Sequence, residues 1–205
     1  MFSVKRYDRI FRGDKCLRVH QEDFCQARAV LPTLKYQNEG GPSVQDLAET
    51  LWTFSSNAKE DIGTLAKALI FNFIILGTDA HAKNYSLLIG ANHKVRLAPL
   101  YDLSSALPYP NRVSPHKAKM AMKIGSKYTI KQIRREHWDR CAKILRVKPS
   151  DMFRTFRQMT DQLPEACQRT RDRLSNQGLK HEIIESLTER ILQRTEAIAQ
   201  QYRLA

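Results

Sequence analysis

No run of this 205-residue sequence stays apolar for anything near the ~20 residues that a membrane-spanning helix requires, which argues against a membrane protein. No leader is expected either. Met1-Phe2-Ser3-Val4-Lys5 meets a charge too soon for a signal peptide, so cytosol is the default location. Cysteine is scarce, with four in all and no C-x-x-C pair, which excludes a disulfide framework and the usual zinc spacings. Cys16, His20 and Cys25 lie close together but lack a fourth ligand, so reduced, partly buried thiols are the better reading. The eight glycines never fall as G-x-G-x-x-G, and no internal repeat or low-complexity tract occurs. The length suits one compact domain or lobe, able to bury roughly 70% of its unfolded surface.

Acidic residues are also in short supply, and unevenly so. Residues 1–110 hold 13 Lys and Arg against 11 Asp and Glu, whereas residues 111–205 hold 21 against 10. A charge of +11 in the second half suggests contact with phosphate, nucleic acid or an acidic partner. Solvated basic helix faces would account for it equally well.

What is present centres on residues 71–105. An apolar run, Phe71 to Leu76, meets the breaker Gly77-Thr78, and then Asp79-Ala80-His81-Ala82-Lys83-Asn84 gathers ionisable side chains. Tyr85–Ile89 and Val95–Leu100 read as strands joined by the turn Gly90-Ala91-Asn92-His93, a hairpin pattern that carries Asp102 back towards Asn84. Asp79 and Asn84 are separated by four residues, as are the catalytic Asp and metal-binding Asn of a kinase catalytic loop, and a second metal-binding Asp follows in each. Phosphoryl transfer needs a carboxylate to accept the proton of the attacking hydroxyl, and hard oxygen donors to hold Mg²⁺. Any one of these residues taken alone is also compatible with a solvated surface turn. Their combined spacing favours the site.

These residues resemble the HipA-like serine/threonine kinases of bacterial toxin–antitoxin modules. Gly77-Thr78-Asp79-Ala80-His81-Ala82-Lys83-Asn84 is similar to their catalytic loop, and Leu100-Tyr101-Asp102 to their metal-binding DFG. Lys5-Arg6-Tyr7-Asp8-Arg9, His20 to Gln26, Lys35-Tyr36, Gly40-Gly41-Pro42 and Met120 to Ile124 extend the resemblance over roughly the first two-thirds of the chain. It implies an α+β, mainly helical, protein-kinase-like C-terminal lobe with a catalytic-loop β-hairpin. Residues 1–205 would form that lobe, with 1–9 as hinge, 71–105 as catalytic and metal-binding core, and 129–205 as a basic helical part. It also implies Asp79 as base, Asn84 and Asp102 as metal ligands, and ATP with Mg²⁺ as cofactors. Lys5, Tyr7, His81, Lys83, Asn84, Tyr101 and Asp102 would contact the nucleotide. The implied partners are a HipB-like antitoxin and a protein substrate such as an aminoacyl-tRNA synthetase, with DNA contact through the basic half. Nothing before Lys5 supplies a phosphate loop or its Lys, so the resemblance implies hinge plus C-terminal lobe. A silent remnant that binds an antitoxin-like partner or DNA is the competing reading, and an unrelated Mg²⁺ hydrolase a third.

The remaining elements follow from pattern. Phe2–Tyr7 reads as the end of a strand, Arg12–Lys15 as a turn and Cys16–Val19 as a strand. Gln21–Leu31 reads as a helix stopped by Pro32. Gln21, Glu22 and Asp23 form a polar cluster with no assigned chemistry. Ser43 suits the N-cap of a helix over Val44–Phe54, and apolar residues at helical spacing predict a buried helix over Glu60–Leu76. Four prolines mark a loop from Ala98 to Pro115, and Lys117–Ile124 alternates as a strand. Helices are then predicted over Ile130–Leu145 with Thr129 as cap, over Asp151–Leu163, from Pro164 towards Leu174, and, past Gly178, over Lys180–Tyr202.

Overall fold

Sheet pairing decides the N-terminal quarter. In the computed structural model, which describes residues 4–114 and 117–203, β1 (Arg9–Arg12) and β2 (Lys15–Arg18) form a hairpin about Gly13, whose φ of +55° suits glycine. The strand expected over Phe2–Tyr7 is not found where it is described: Val4–Arg6 carry no regular structure, and Phe2 and Ser3 lie outside the described residues. Pairing begins only after Asp8, whose buried carboxylate accepts from Arg6 Nε at 2.7 Å and Arg9 Nη1 at 2.5 Å.

The helix expected over Gln21–Leu31 is also corrected. His20–Asp23 form β3, held antiparallel to β4 (Ser86–Ile89), so tertiary pairing overrides the local helix pattern. Asp23 instead caps a single turn, α1 (Phe24–Ala27), accepting from Gln26 N at 3.0 Å. By contrast α2 (Val44–Phe54) starts where its capping residue predicts. Ser43 Oγ accepts from Asp46 N, and Asp46 Oδ2 accepts from Ser43 N at 2.8 Å, a reciprocal box that satisfies two orphan donors.

The long helix α3 (Ala58–Ile74) runs through the core. Beyond it β4 and β5 (Val95–Leu97) make the predicted hairpin, completing a sheet of order β3-β4-β5. Buried Asp61 clasps that hairpin to the start of α3, accepting from Leu97 N at 2.8 Å, Ser55 Oγ at 2.6 Å and Arg96 Nη2 at 2.9 Å. Residues 98–114 form turns and extended segments, and Pro115 lies outside the described residues.

After β6 (Lys119–Ile124) and β7 (Lys127–Thr129), the predicted cap Thr129 proves to be a strand residue paired with Lys119. A 3-10 turn covers Ile130–Gln132, so α4 (Arg135–Leu145) starts later than expected. The break at Pro164 is corrected as well. α5 (Pro149–Asn176) is continuous, with Pro164 inside it, and it packs along α6 (Glu182–Tyr202), an alignment that offsets the lost backbone bond. Where α3, α4, α5 and α6 meet, Trp138 stands edge-on to Phe156 (4.7 Å between centroids) and Phe73 (5.4 Å), closed by Tyr202. Among the described residues no helix is long and apolar enough to cross a membrane.

Candidate active site

The loop that bears Asp79 hangs from the end of α3, and that end is tied off by distant parts of the chain. A helix leaves its last carbonyls without partners. Here Arg194 of α6 donates Nη2 to Phe73 O at 2.9 Å and Nε to Ile74 O at 2.8 Å. Ser105 Oγ donates to Ile75 O, and Ala106 N to Leu76 O at 3.1 Å. Leu76 turns left-handed (φ 56°), and Gly77 then passes so close to Asn72 that a Cβ there would lie 2.3 Å from Asn72 Oδ1. Glycine is required for that approach.

From this anchor the loop folds on itself. The backbone carbonyl of Asp79 accepts from His81 N at 2.8 Å and from Asn84 Nδ2 at 2.8 Å, while Asn84 N donates to His81 O at 2.9 Å. The spacing of Asp79 and Asn84 is thus what lets the second side chain grip the first residue's backbone. The Asp79 carboxylate, 54% exposed, points outward with His81 Nε2 4.0 Å from Oδ1. Tyr36 donates its hydroxyl to the same oxygen, and this carboxylate is the main reason that the phenol is pushed up to about 12. Sequence reasoning gave Tyr36 no role; its only signal was the Lys35-Tyr36 pair. His81 is buried under the edge of the Tyr36 ring, 5.2 Å between centroids, and burial first, then the Lys35 charge, lowers its proton affinity.

The other expected nucleotide contacts divide into three groups. Lys83 is engaged by Asp23, Nζ to Oδ2 2.6 Å, so the polar cluster around Asp23 serves the loop after all. Tyr101 donates to Lys83 O at 2.6 Å and shares a 2.6 Å bond with Ser86 Oγ, which also accepts from Gln21 Nε2 at 3.0 Å. Burial pushes the Tyr101 phenol up to about 12. Gln21 of β3, Ser86 of β4, Tyr101 and the backbone of Lys83 thus form one hydrogen-bonded seam, with Tyr7 half-buried near Gln21. Lys5 stands apart: it is exposed and makes no side-chain hydrogen bond among the described residues. Asp102 follows Tyr101 in a left-handed conformation (φ 54°), exposed, and its charge acts on both Tyr101 and His81.

The donors fit a hard divalent cation. Asn84 uses Nδ2 on the Asp79 carbonyl, which leaves Oδ1 as its free end, and Asp102 offers a solvent-facing carboxylate. Among the described residues no three His, Cys, Asp or Glu side chains gather as a metal cage. Two protein oxygens suit Mg²⁺, which keeps water and phosphate oxygens as its other ligands.

Comparison with known proteins places the fold. The chain is 40% identical over 167 residues to a Sinorhizobium fredii protein named "Putative kinase Y4mE", covering 81% of this chain and 39% of that one. It is 27% identical over 113 residues to a Haemophilus influenzae protein named "Putative kinase", covering 53% of this chain and 32% of the other. Among solved structures, HipA in the Shewanella oneidensis MR-1 complex of HipA, HipB and operator DNA superposes with a TM-score of 0.75 at 20% identity. That match covers 94% of this chain and 47% of the HipA chain, and it shows the shared α+β fold. The chain therefore spans less than half the length of these proteins. The family model described as HipA-like C-terminal domain matches residues 1–167, and the chain belongs to that family.

Proposed function

We propose that this chain is the C-terminal lobe of a serine/threonine protein kinase that moves the γ-phosphoryl group of ATP to a protein hydroxyl. The observation that carries this reading is the Asp79–Asn84 clasp, which fixes an exposed carboxylate on a rigid loop. Asp79 would accept the proton of the attacking hydroxyl, oriented by Tyr36. Asn84 and Asp102 would hold Mg²⁺, which when bound neutralises charge on the phosphates. Tyr7 and Tyr101 would border the nucleotide, with Lys5 contributing backbone groups of the hinge. Lys83 and His81 would act through loop geometry, the first held by Asp23 and the second neutral and buried. A cavity of about 290 Å³ lined by Tyr36, Thr78, Met120 and Tyr128 adjoins the base and would receive the acceptor residue.

The test joins this chain to the phosphate-loop lobe of a relative and follows transfer from radiolabelled ATP. Asp79→Asn should depress transfer while sparing nucleotide binding, and Asp102→Ala should abolish metal-dependent transfer. Undiminished transfer by Asp79→Asn would refute the assignment. By analogy with the HipA–HipB–DNA complex, the protein would act in the cytoplasm as a toxin bound by a HipB-like antitoxin, near operator DNA. The basic second half favours a further reading as a binding module. Many of its arginines, however, are already paired: Arg169 with Glu165 at 2.8 Å, Arg171 with Asp172 at 3.1 Å, Arg154 with Asp151 at 2.5 Å.

A further inference from the structure

Where α6 crosses the end of α3, a concavity of about 430 Å³ opens between Lys131, Arg134, Arg194 and Gln201, over Phe73 and Ile198. No carboxylate lines it, and among the described residues none of its three cations lies within ion-pair distance of an Asp or Glu. Glu136, the acid next to α4's first residue, is turned to His137, 3.6 Å away. This differs from the helix faces, where Arg154, Arg157, Arg169 and Arg171 each have an acidic neighbour. Unpaired cations gathered in a hollow repel one another, and that cost is relieved when an anion enters.

Two of the cations are already aimed. Arg194 is fixed by its bonds to Phe73 O and Ile74 O and by the Phe73 ring, whose centroid is 5.5 Å from the guanidinium carbon. Arg134 donates Nη1 to Ile133 O at 3.2 Å and also to Lys131 O. A ligand would pay little side-chain entropy to engage them, and Arg194 Nη1 with Arg134 Nε and Nη2, which make no hydrogen bond among the described residues, are left to meet phosphate oxygens. Burial already lowers the Arg194 guanidinium to about 10, so an anion would meet a poorly hydrated charge. The hollow has room for a small ligand and lacks the extended basic track that a nucleic-acid strand requires.

We infer that this concavity is a binding site for a phosphate-class anion, either free phosphate or a phosphoryl group on a side chain. The inference does not rest on the kinase reading, since it concerns residues remote from Asp79's chemistry and is read by binding alone. Because Arg194 also holds the end of α3, occupancy should stiffen the turn that leads to Asp79.

The experiment titrates the purified chain with inorganic phosphate, and separately with O-phosphoserine, against chloride at matched ionic strength. Calorimetry, thermal melting and the Arg side-chain NMR signals provide the readouts. Saturable one-to-one binding with a raised Tm is expected, and Lys131→Gln and Arg134→Gln should each weaken it by about tenfold. Tighter binding of O-phosphoserine would assign the phosphorylated side chain, and tighter binding of phosphate the free ion. Lys131 is exposed, so its variant folds whatever happens to Arg134→Gln. No saturation, or binding that is unchanged in Lys131→Gln, would overturn the site. So would duplex DNA that binds through these residues while phosphate and phosphoserine do not.

Discussion

Replacing Arg194 with Met tests whether α6 supports the candidate active site from behind. The side chain contributes two hydrogen bonds from a charged donor, to Phe73 O at 2.9 Å and Ile74 O at 2.8 Å. Bonds of that kind are worth about 1.5–3 kcal/mol each, so the gross loss is on the order of 3–6 kcal/mol. Against this, the guanidinium is held in a partly buried place that lowers its pKa to about 10. Removing so poorly hydrated a charge recovers roughly 3 kcal/mol. The two carbonyls then face an open hollow, where water partly replaces the lost donors. The net expectation is a loss of up to about 3 kcal/mol. In a domain of this size that lowers Tm by up to roughly 10 °C. Urea unfolding should show a lower midpoint at constant m, and hydrogen exchange should speed up first at the amides of Ile75 to Gly77. Arg194→Lys should fall between, keeping the charge but losing the two-pronged geometry. A loss under about 0.5 kcal/mol with unchanged exchange would show that the helix end needs no support from α6.

Other consequences can be measured directly. Gly77→Ala would bring a Cβ 2.3 Å from Asn72 Oδ1, displacing a buried amide that donates to Ala68 O, so a loss of about 1–3 kcal/mol is expected in thermal unfolding. Wild-type stability would mean that Asn72 is free to move. Tyr36→Phe removes the hydroxyl on Asp79 but keeps the ring against His81; stability should change by less than about 1 kcal/mol. If the proposed function holds, the variant chain joined to a relative's phosphate-loop lobe should lose turnover several-fold with unchanged nucleotide affinity, and unaltered turnover would remove Tyr36 from the site. His81 is buried with its pKa lowered below 6.5, so the unfolded chain takes up the proton first as pH falls. Its contribution is therefore complete above the ordinary histidine range and declines as pH drops through 6.5 towards the lowered value. Denaturant midpoints at pH 7.5 and 5.5 should differ less in His81→Gln than in the wild type; equal differences would contradict the burial argument. If the basic half binds DNA, log affinity should fall against log salt with a slope of about −0.9 per phosphate. Charge reversal at Arg173, which has no ion-pair partner among the described residues, should flatten that slope more than reversal at the paired Arg169.

Features written in adjacent residues were legible before the fold was known. Ser43 and Asp46 are three positions apart, and their reciprocal cap sets the start of α2. Asp79 and Asn84 declare the loop through a spacing that the Asn84–Asp79 bond makes physical. What escaped notice depends on partners far along the chain. Gln21 to Asp23 look helical in isolation and become a strand only because β4, some sixty residues on, presents a free edge. Thr129 looks like a cap until Lys119 pairs with it. Pro164 reads as a helix start by local rules, yet packing against α6 carries α5 straight through it. Tyr36 and Arg194 reach the site across 43 and 120 residues respectively; the Lys35-Tyr36 pair is the one hint of the first, and no local pattern signals the second.

The family match stops at residue 167, inside α5, while Arg194 and Tyr202, which close the core around Phe73, both come from beyond it. The portion that the family model matches is therefore smaller than the portion that must fold together. Exchange of modules between members of the family has to respect the second boundary and ignore the first. A graft cut where the likeness fades would strip α3 of its terminal donor and uncover an aromatic cluster. Within α6 it is the positions reaching back to α3 on which the core depends, so that a stretch outside the family match helps to hold the loop inside it in place.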